Sequence, residues 1–116
     1  MKNRPLRERL GFAAAGLKSG WLRERSFRTQ SMFAFAALAV LLLLRPAPIW
    51  WAMTALVAAI VLALELVNSA LEGVIDLLHP GIHPEIKIIK DMMAGAVLVV
   101  SLSALIVAAA LMASIW

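Results

Sequence analysis

The sequence predicts an all-α membrane protein with three transmembrane helices preceded by an N-terminal amphipathic interfacial helix, and three observations predict it. The 116 residues are 63% hydrophobic with a mean hydropathy of +0.91, well above the apolar share of a soluble domain. A chain this short cannot hide that surplus in one core, so lipid is the expected solvent. Three long apolar runs are separated by proline-containing breaks, and the basic residues crowd at one end. Eight of the eleven Lys and Arg residues are Lys2, Arg4, Arg7, Arg9, Lys18, Arg23, Arg25 and Arg28. Beside apolar runs, such an arm suits anionic headgroups. Nucleic acid is not an expected partner, because no groove-reading module follows the arm.

The length fits one integral-membrane domain over residues 1–116. No cysteine is present, which excludes disulfides, thiol chemistry and zinc-finger frameworks. Residues 6–23 read as the surface helix: Leu6, Leu10, Ala13, Leu17 and Trp21 recur at steps of three or four, with Arg7, Arg9 and Lys18 on other faces. A basic amphipathic helix of this kind lies in the membrane interface; a partner-binding helix is the plainer alternative. The first span is expected over about 27–44. It is expected to be retained as a span and not cleaved as an export signal, since its basic leader is some thirty residues long and Arg45-Pro46-Ala47-Pro48 is a poor cleavage site. Those prolines make a turn. The second span follows over about 49–78, broken by His79-Pro80-Gly81-Ile82-His83-Pro84. The third runs over about 85–115, with Pro84 or Glu85 in its first turn.

The N-terminal arm and the second connection are the basic segments, whereas the first connection carries only Arg45. The positive-inside rule therefore puts the N-terminus and the second connection in the cytoplasm of a bacterial inner membrane, with the C-terminus outside. Trp50, Trp51 and Trp116 then fall at the outer boundary, where an aromatic belt belongs.

The second span holds the informative polar residues: Glu65, Asn68, Ser69, Glu72 and Asp76. At about 100° per residue they form one helical stripe roughly 100° wide. A carboxylate in a span is costly and marks function by default. Glu65 lies ~21 Å inward from Trp51, several ångströms inside the cytoplasmic boundary of a core roughly 30 Å thick. Glu72 is another ~10 Å along, at or beyond that boundary. Counted from the outer ends of their helices, Glu24 lies ~31 Å from Arg45 and Lys90 ~39 Å from Trp116. Glu24, Glu72, Asp76, Lys90 and Asp91 are thus expected near the inner headgroup level, with Glu65 beneath them.

That layering suits reaction between a lipid hydroxyl and a cytosolic phosphate donor. Magnesium takes oxygen ligands, usually one or two carboxylates plus substrate phosphates. Glu24 and Glu72 are the candidates to supply them, with Lys90 balancing phosphate charge, Asn68 holding a phosphate or orienting the base, and Glu65 poised as general base. Plainer readings stand beside these. Asn68 and Ser69 can be interhelical hydrogen-bond glue, Glu24 a solvated charge, Lys87 and Asp91 an i,i+4 pair, and His79 and His83 turn residues. Gly11–Ser19 departs from the phosphate-loop pattern by one intruding residue, Leu17, which displaces the lysine, and it lacks the preceding strand that motif requires.

The block Glu65-Leu66-Val67-Asn68-Ser69-Ala70-Leu71-Glu72, then Asp76, then Lys90-Asp91 with Ala94-Gly95-Ala96, resembles the prokaryotic diacylglycerol kinase family, as does Glu24-Arg25-Ser26-Phe27-Arg28. The resemblance runs over about residues 5–110. It implies a homotrimer with composite active sites at the membrane interface and MgATP-dependent phosphorylation of diacylglycerol to phosphatidate. By matching position it makes Glu65 the general base and Glu24 and Glu72 the metal ligands. Arg4, Phe12, Asn68, Asp76, His83, Lys90 and Asp91 would serve the nucleotide, and Trp21, Phe27, Arg28, Ser69 and Ala94 the lipid. The sequence departs from the family pattern at Pro5, beside Arg4, at Phe12 in place of a tyrosine, and at Gln30 in place of an acidic residue. The Ala-Gly-Ala run and His83-Pro84 lean towards the undecaprenol kinase branch, the alternative acceptor. The alternative of another class is a small non-enzymatic membrane subunit or transporter, which typically needs neither a second carboxylate at the cytoplasmic rim nor a Lys-Asp partner.

Overall fold

A computed structural model describes residues 3–81 and 83–115. Lys2 of the basic arm, Ile82 of the second connection and Trp116 of the expected aromatic belt lie outside the described residues. Four helices follow one another: α1 (Leu6–Arg23), α2 (Arg25–Leu44), α3 (Pro48–Leu78) and α4 (Pro84–Ile115). The last three are each long and apolar enough to cross a membrane. At ~1.5 Å per residue α3 and α4 reach well past a hydrocarbon core roughly 30 Å thick, so one end of each stands in the headgroup layer or water.

The helix boundaries follow from local chemistry. The α1–α2 break consumes one residue, Glu24, whose backbone is extended (φ −114°, ψ 110°). Its amide closes the last turn of α1 on the Gly20 carbonyl at 2.9 Å, and its carbonyl opens α2 by accepting from the Arg28 amide at 3.2 Å. So short a break lets α2 start at Arg25, ahead of the expected Phe27. Proline stands first in both α3 and α4, where its missing N–H would have had no intrahelical partner anyway. Arg45 ends α2 in the left-handed region (φ 48°, ψ 55°), and Trp51 Nε1 donates to the Pro46 carbonyl across the turn at 3.3 Å. Gly11 to Ser19 lies wholly within α1, so its near-match to a phosphate loop has no loop behind it.

The three long helices pack through one seam. On α3 the less exposed positions include Trp51, Thr54, Ala58, Val61, Glu65, Asn68, Glu72 and Ile75; on α4 they include Ile86, Lys90, Met93, Val97, Val100, Ala104, Val107 and Leu111. Both sets alternate steps of three and four, the spacing that keeps a stripe facing its partner in near-parallel helices. α3 packs against α4 most extensively and against α2 next, while α2 and α4 make no close approach to each other among the described residues. The buried apolar side chains are few: Phe27, Leu41, Val61 and Leu111. Phe33, Leu43, Leu56, Leu105 and Ile106 are all more than 60% exposed, a surface suited to lipid and not to water. This is a multi-pass membrane protein.

Candidate functional site

The seam is apolar over most of its length and turns polar toward the end where α1 joins. Three consecutive seam positions of α3 are Glu65, Asn68 and Glu72, because a 3,4 step along α3 returns each of them to the face already turned inward. Glu65 is only 6% exposed, and with Ser31 of α2 it is one of the two buried polar residues described. The carboxylates of Glu72 and Glu24 both lie close enough to act electrostatically on Glu65. Glu24 arrives there from the α1–α2 corner, and its carboxylate makes no capping hydrogen bond to either helix. Two carboxylates from separate segments therefore lie within electrostatic range of Glu65, with Glu72 about two helical turns from it along α3.

Asn68 links two of the levels. Its Nδ2 donates to Glu72 Oε1 at 3.4 Å, while its Oδ1 is buried without a partner. A buried acceptor left unmade is expensive, so the site presents a place where a donor is wanted. Further along, Lys90 of α4 donates to Asp76 Oδ1 at 2.9 Å, tying the end of α3 to the start of α4, and the Glu72 carboxylate also lies within electrostatic range of Lys90. Among the described residues no group of three or more His, Cys, Asp or Glu side chains is close enough to hold a metal ion. Glu24 and Glu72 are two acidic side chains beside a third, Glu65, that is buried.

Other expected site residues are engaged elsewhere. Asp91 Oδ2 accepts from Lys87 Nζ at 2.7 Å within α4. Arg4 pairs with Glu8 at 3.3 Å at the far end of α1, and Phe12 is exposed on that helix. His83 Nδ1 accepts the Glu85 amide at 3.0 Å, and its ring stands edge-on to His79 with centroids 5.6 Å apart. Ser69 is half-buried beside Asn68, and Ala94 is exposed on α4. Phe27 is buried under the α1–α2 corner, and Trp21 is exposed on α1. Arg28 turns its guanidinium onto backbone, donating from Nη1 to the carbonyls of Trp21 at 2.8 Å and Leu22 at 3.3 Å.

Two features carried no sequence signal. Gly20 is the one buried residue of α1, yet in the sequence it reads only as part of a G-x-x-x-G on a surface helix. Ser31 is as hidden as Glu65, but a lone serine in an apolar run is unremarked.

The model of the prokaryotic diacylglycerol kinase family matches residues 11–112. The chain belongs to the prokaryotic diacylglycerol kinase family. Among its relatives, a protein of Synechocystis named diacylglycerol kinase is 37% identical over 102 residues, covering 87% of this chain and 58% of that protein. A diacylglycerol kinase of Helicobacter pylori is 29% identical over 90 residues, 78% of this chain and 70% of the relative. One of Escherichia coli K12 is 28% identical over 96 residues, 83% of this chain and 79% of the relative. The chain thus spans little more than half the length of the Synechocystis relative. The matched stretch of this diacylglycerol kinase family member takes in Glu24, Glu65, Asn68, Glu72, Asp76 and Lys90.

Proposed function

We propose that this chain is an ATP-dependent lipid kinase that phosphorylates diacylglycerol to phosphatidate at the cytoplasmic face of the bacterial inner membrane. One observation carries the reading: a buried carboxylate, Glu65, with two further carboxylates from separate segments gathered beside it at one end of a membrane-spanning seam. The family match and the names of the relatives support the same reaction.

In this reading Glu65 accepts the proton of the lipid hydroxyl as its oxygen bonds to the γ-phosphorus and the bond from that phosphorus to ADP breaks. Phosphoryl transfer asks mainly for positioning and charge neutralisation. Glu24 and Glu72 would hold magnesium, which suits two hard oxygen donors completed by nucleotide phosphates better than a dedicated protein cage. When bound, that ion supplies neutralisation of phosphate charge. The Asn68 amide holds Glu72 in place, and its bare Oδ1 awaits a donor other than the reacting hydroxyl, whose single proton goes to Glu65. Lys90, held by Asp76, adds positive charge at the phosphate level, and Asp91 and His83 border the nucleotide.

The basic residues of α1 and its exposed Leu6, Leu10, Leu17 and Trp21 favour a helix lying on the inner leaflet. Arg4 and Phe12 stand away from the carboxylates within one chain. That separation favours the family's homotrimer, in which sites are shared between copies. The test is transfer of radiolabelled phosphate from MgATP, in mixed micelles, to a panel of diacylglycerol, ceramide and undecaprenol. Labelled phosphatidate is the expected product. Label on undecaprenol alone would move the acceptor to the polyprenol branch, and a preparation inert to every alcohol would end the reading.

A further inference from the structure

α1 is exposed along its whole length except at Gly20. A Cβ placed there would meet Leu66 Cδ2 of α3 at 2.5 Å and Phe27 Cδ2 of α2 at 3.3 Å. Any side chain larger than hydrogen must therefore push α1 away from α3 or force Leu66 aside. Three helices meet at this one point, and Leu66 is the residue next to Glu65. Gly20 also holds the Glu24 amide on its carbonyl at 2.9 Å, so displacement of Gly20 is passed directly to Glu24.

A second contact fixes the same corner. The last carbonyls of a helix have no intrahelical donor. Here the carbonyls of Trp21 and Leu22 accept from the Arg28 guanidinium, one turn into the next helix. A cation is also favoured at a helix C-terminus by the dipole. The corner is thus pinned below by close packing and clasped across its bend by Arg28.

We propose that Gly20 and Arg28 are positioning residues that seat the α1–α2 corner on α3 and so set where the Glu24 carboxylate stands relative to Glu65 and Glu72. The proposal rests on the kinase reading for its effect on turnover, but not for its effect on metal binding. Two carboxylates from different segments hold one ion only if the segments keep their spacing. Misplacement of a reacting or binding group by about 1 Å is enough for a loss of roughly a hundredfold.

The experiment compares the full chain with Gly20→Leu, Leu66→Ala and the double variant, in detergent with lipid. Mn2+ alone is the binding probe, read by its paramagnetic resonance, and lipid phosphorylation is measured across Mg2+ concentration. Gly20→Leu is expected to weaken Mn2+ binding and raise the apparent KM for Mg2+, each by about tenfold or more, with helix content retained. Adding Leu66→Ala removes the obstructing branch and is expected to return both most of the way. Unchanged Mn2+ binding and Mg2+ dependence in Gly20→Leu would overturn the proposal, as would a loss that Leu66→Ala does not relieve in a folded double variant. Should Gly20→Leu not fold, Gly20→Ala serves. The tip of Leu66 can swing from one methyl, so a shift of about two- to fivefold in the same direction is expected, again relieved by Leu66→Ala; no shift would overturn it. Arg28→Gln is expected to weaken Mn2+ binding by a similar few-fold. A parent chain that binds Mn2+ but phosphorylates no lipid alcohol overturns the kinase reading alone and leaves the seat to be judged by its Mn2+ binding.

Discussion

The two ends of the seam between α3 and its neighbours share one periodicity and differ in what they carry. Away from α1, the α3 positions are Thr54, Ala58 and Val61, and they floor an apolar groove of about 350 Å³ between α2 and α4. Toward α1, the next three positions on the same stripe are Glu65, Asn68 and Glu72. None of the carboxylates lines that groove. The difference teaches that the helical repeat decides only which residues face inward. What an inward position does depends on depth: small apolar residues serve packing where lipid surrounds the bundle, and the costly carboxylates sit where a polar phase is near.

The largest effect is expected from Glu65→Gln. If Glu65 is the proton acceptor, turnover should fall by about 10²–10⁴-fold while nucleotide binding, followed by a fluorescent ATP analogue, stays close to the parent. Glu72→Gln should instead weaken MgATP and Mg2+ together, by roughly tenfold or more, in the same binding assay. Equal loss of nucleotide binding in both variants would erase the division of roles between the two levels. At the other end, Leu41→Ala removes a side chain only 3% exposed beneath the groove. It should cost about 2–5 kcal/mol of stability, read by thermal unfolding in detergent, with KM values unchanged at permissive temperature. The smallest effect is expected at Arg45, whose left-handed backbone suits glycine. Arg45→Gly should raise stability by about 0.5–1 kcal/mol and leave the Mg2+ dependence of turnover untouched. A change in that dependence would show that the two ends are coupled.

Much of the site was legible because helical geometry is periodic. Offsets of 0, 3 and 7 put Glu65, Asn68 and Glu72 on one face whatever the bundle around them, and the prolines at 48 and 84 mark helix starts by the chemistry of the missing N–H. The contacts of individual polar groups were less legible. Arg28, placed with the lipid by family position, turns to the carbonyls of α1, whereas the Lys87–Asp91 contact one turn apart is the i,i+4 pair that spacing offered as the plainer reading. A long side chain near a helix end has several partners within reach, and spacing along the chain does not choose among them.

By itself, then, the order of residues determined four helices, their apolar character and the inward stripe that places Glu65 beneath Glu72, since each follows from local backbone preference, composition and a fixed turn of about 100° per residue. Helix lengths also put Glu24 near the level of Glu72; only the tertiary structure decided that α2 and α4 stand apart over α3 and that Gly20 is the point where α1 touches down. Those outcomes depend on the angle at a one-residue corner and on the shapes of Leu66 and Phe27. Such contacts join residues far apart in sequence, and no periodicity along the chain encodes them.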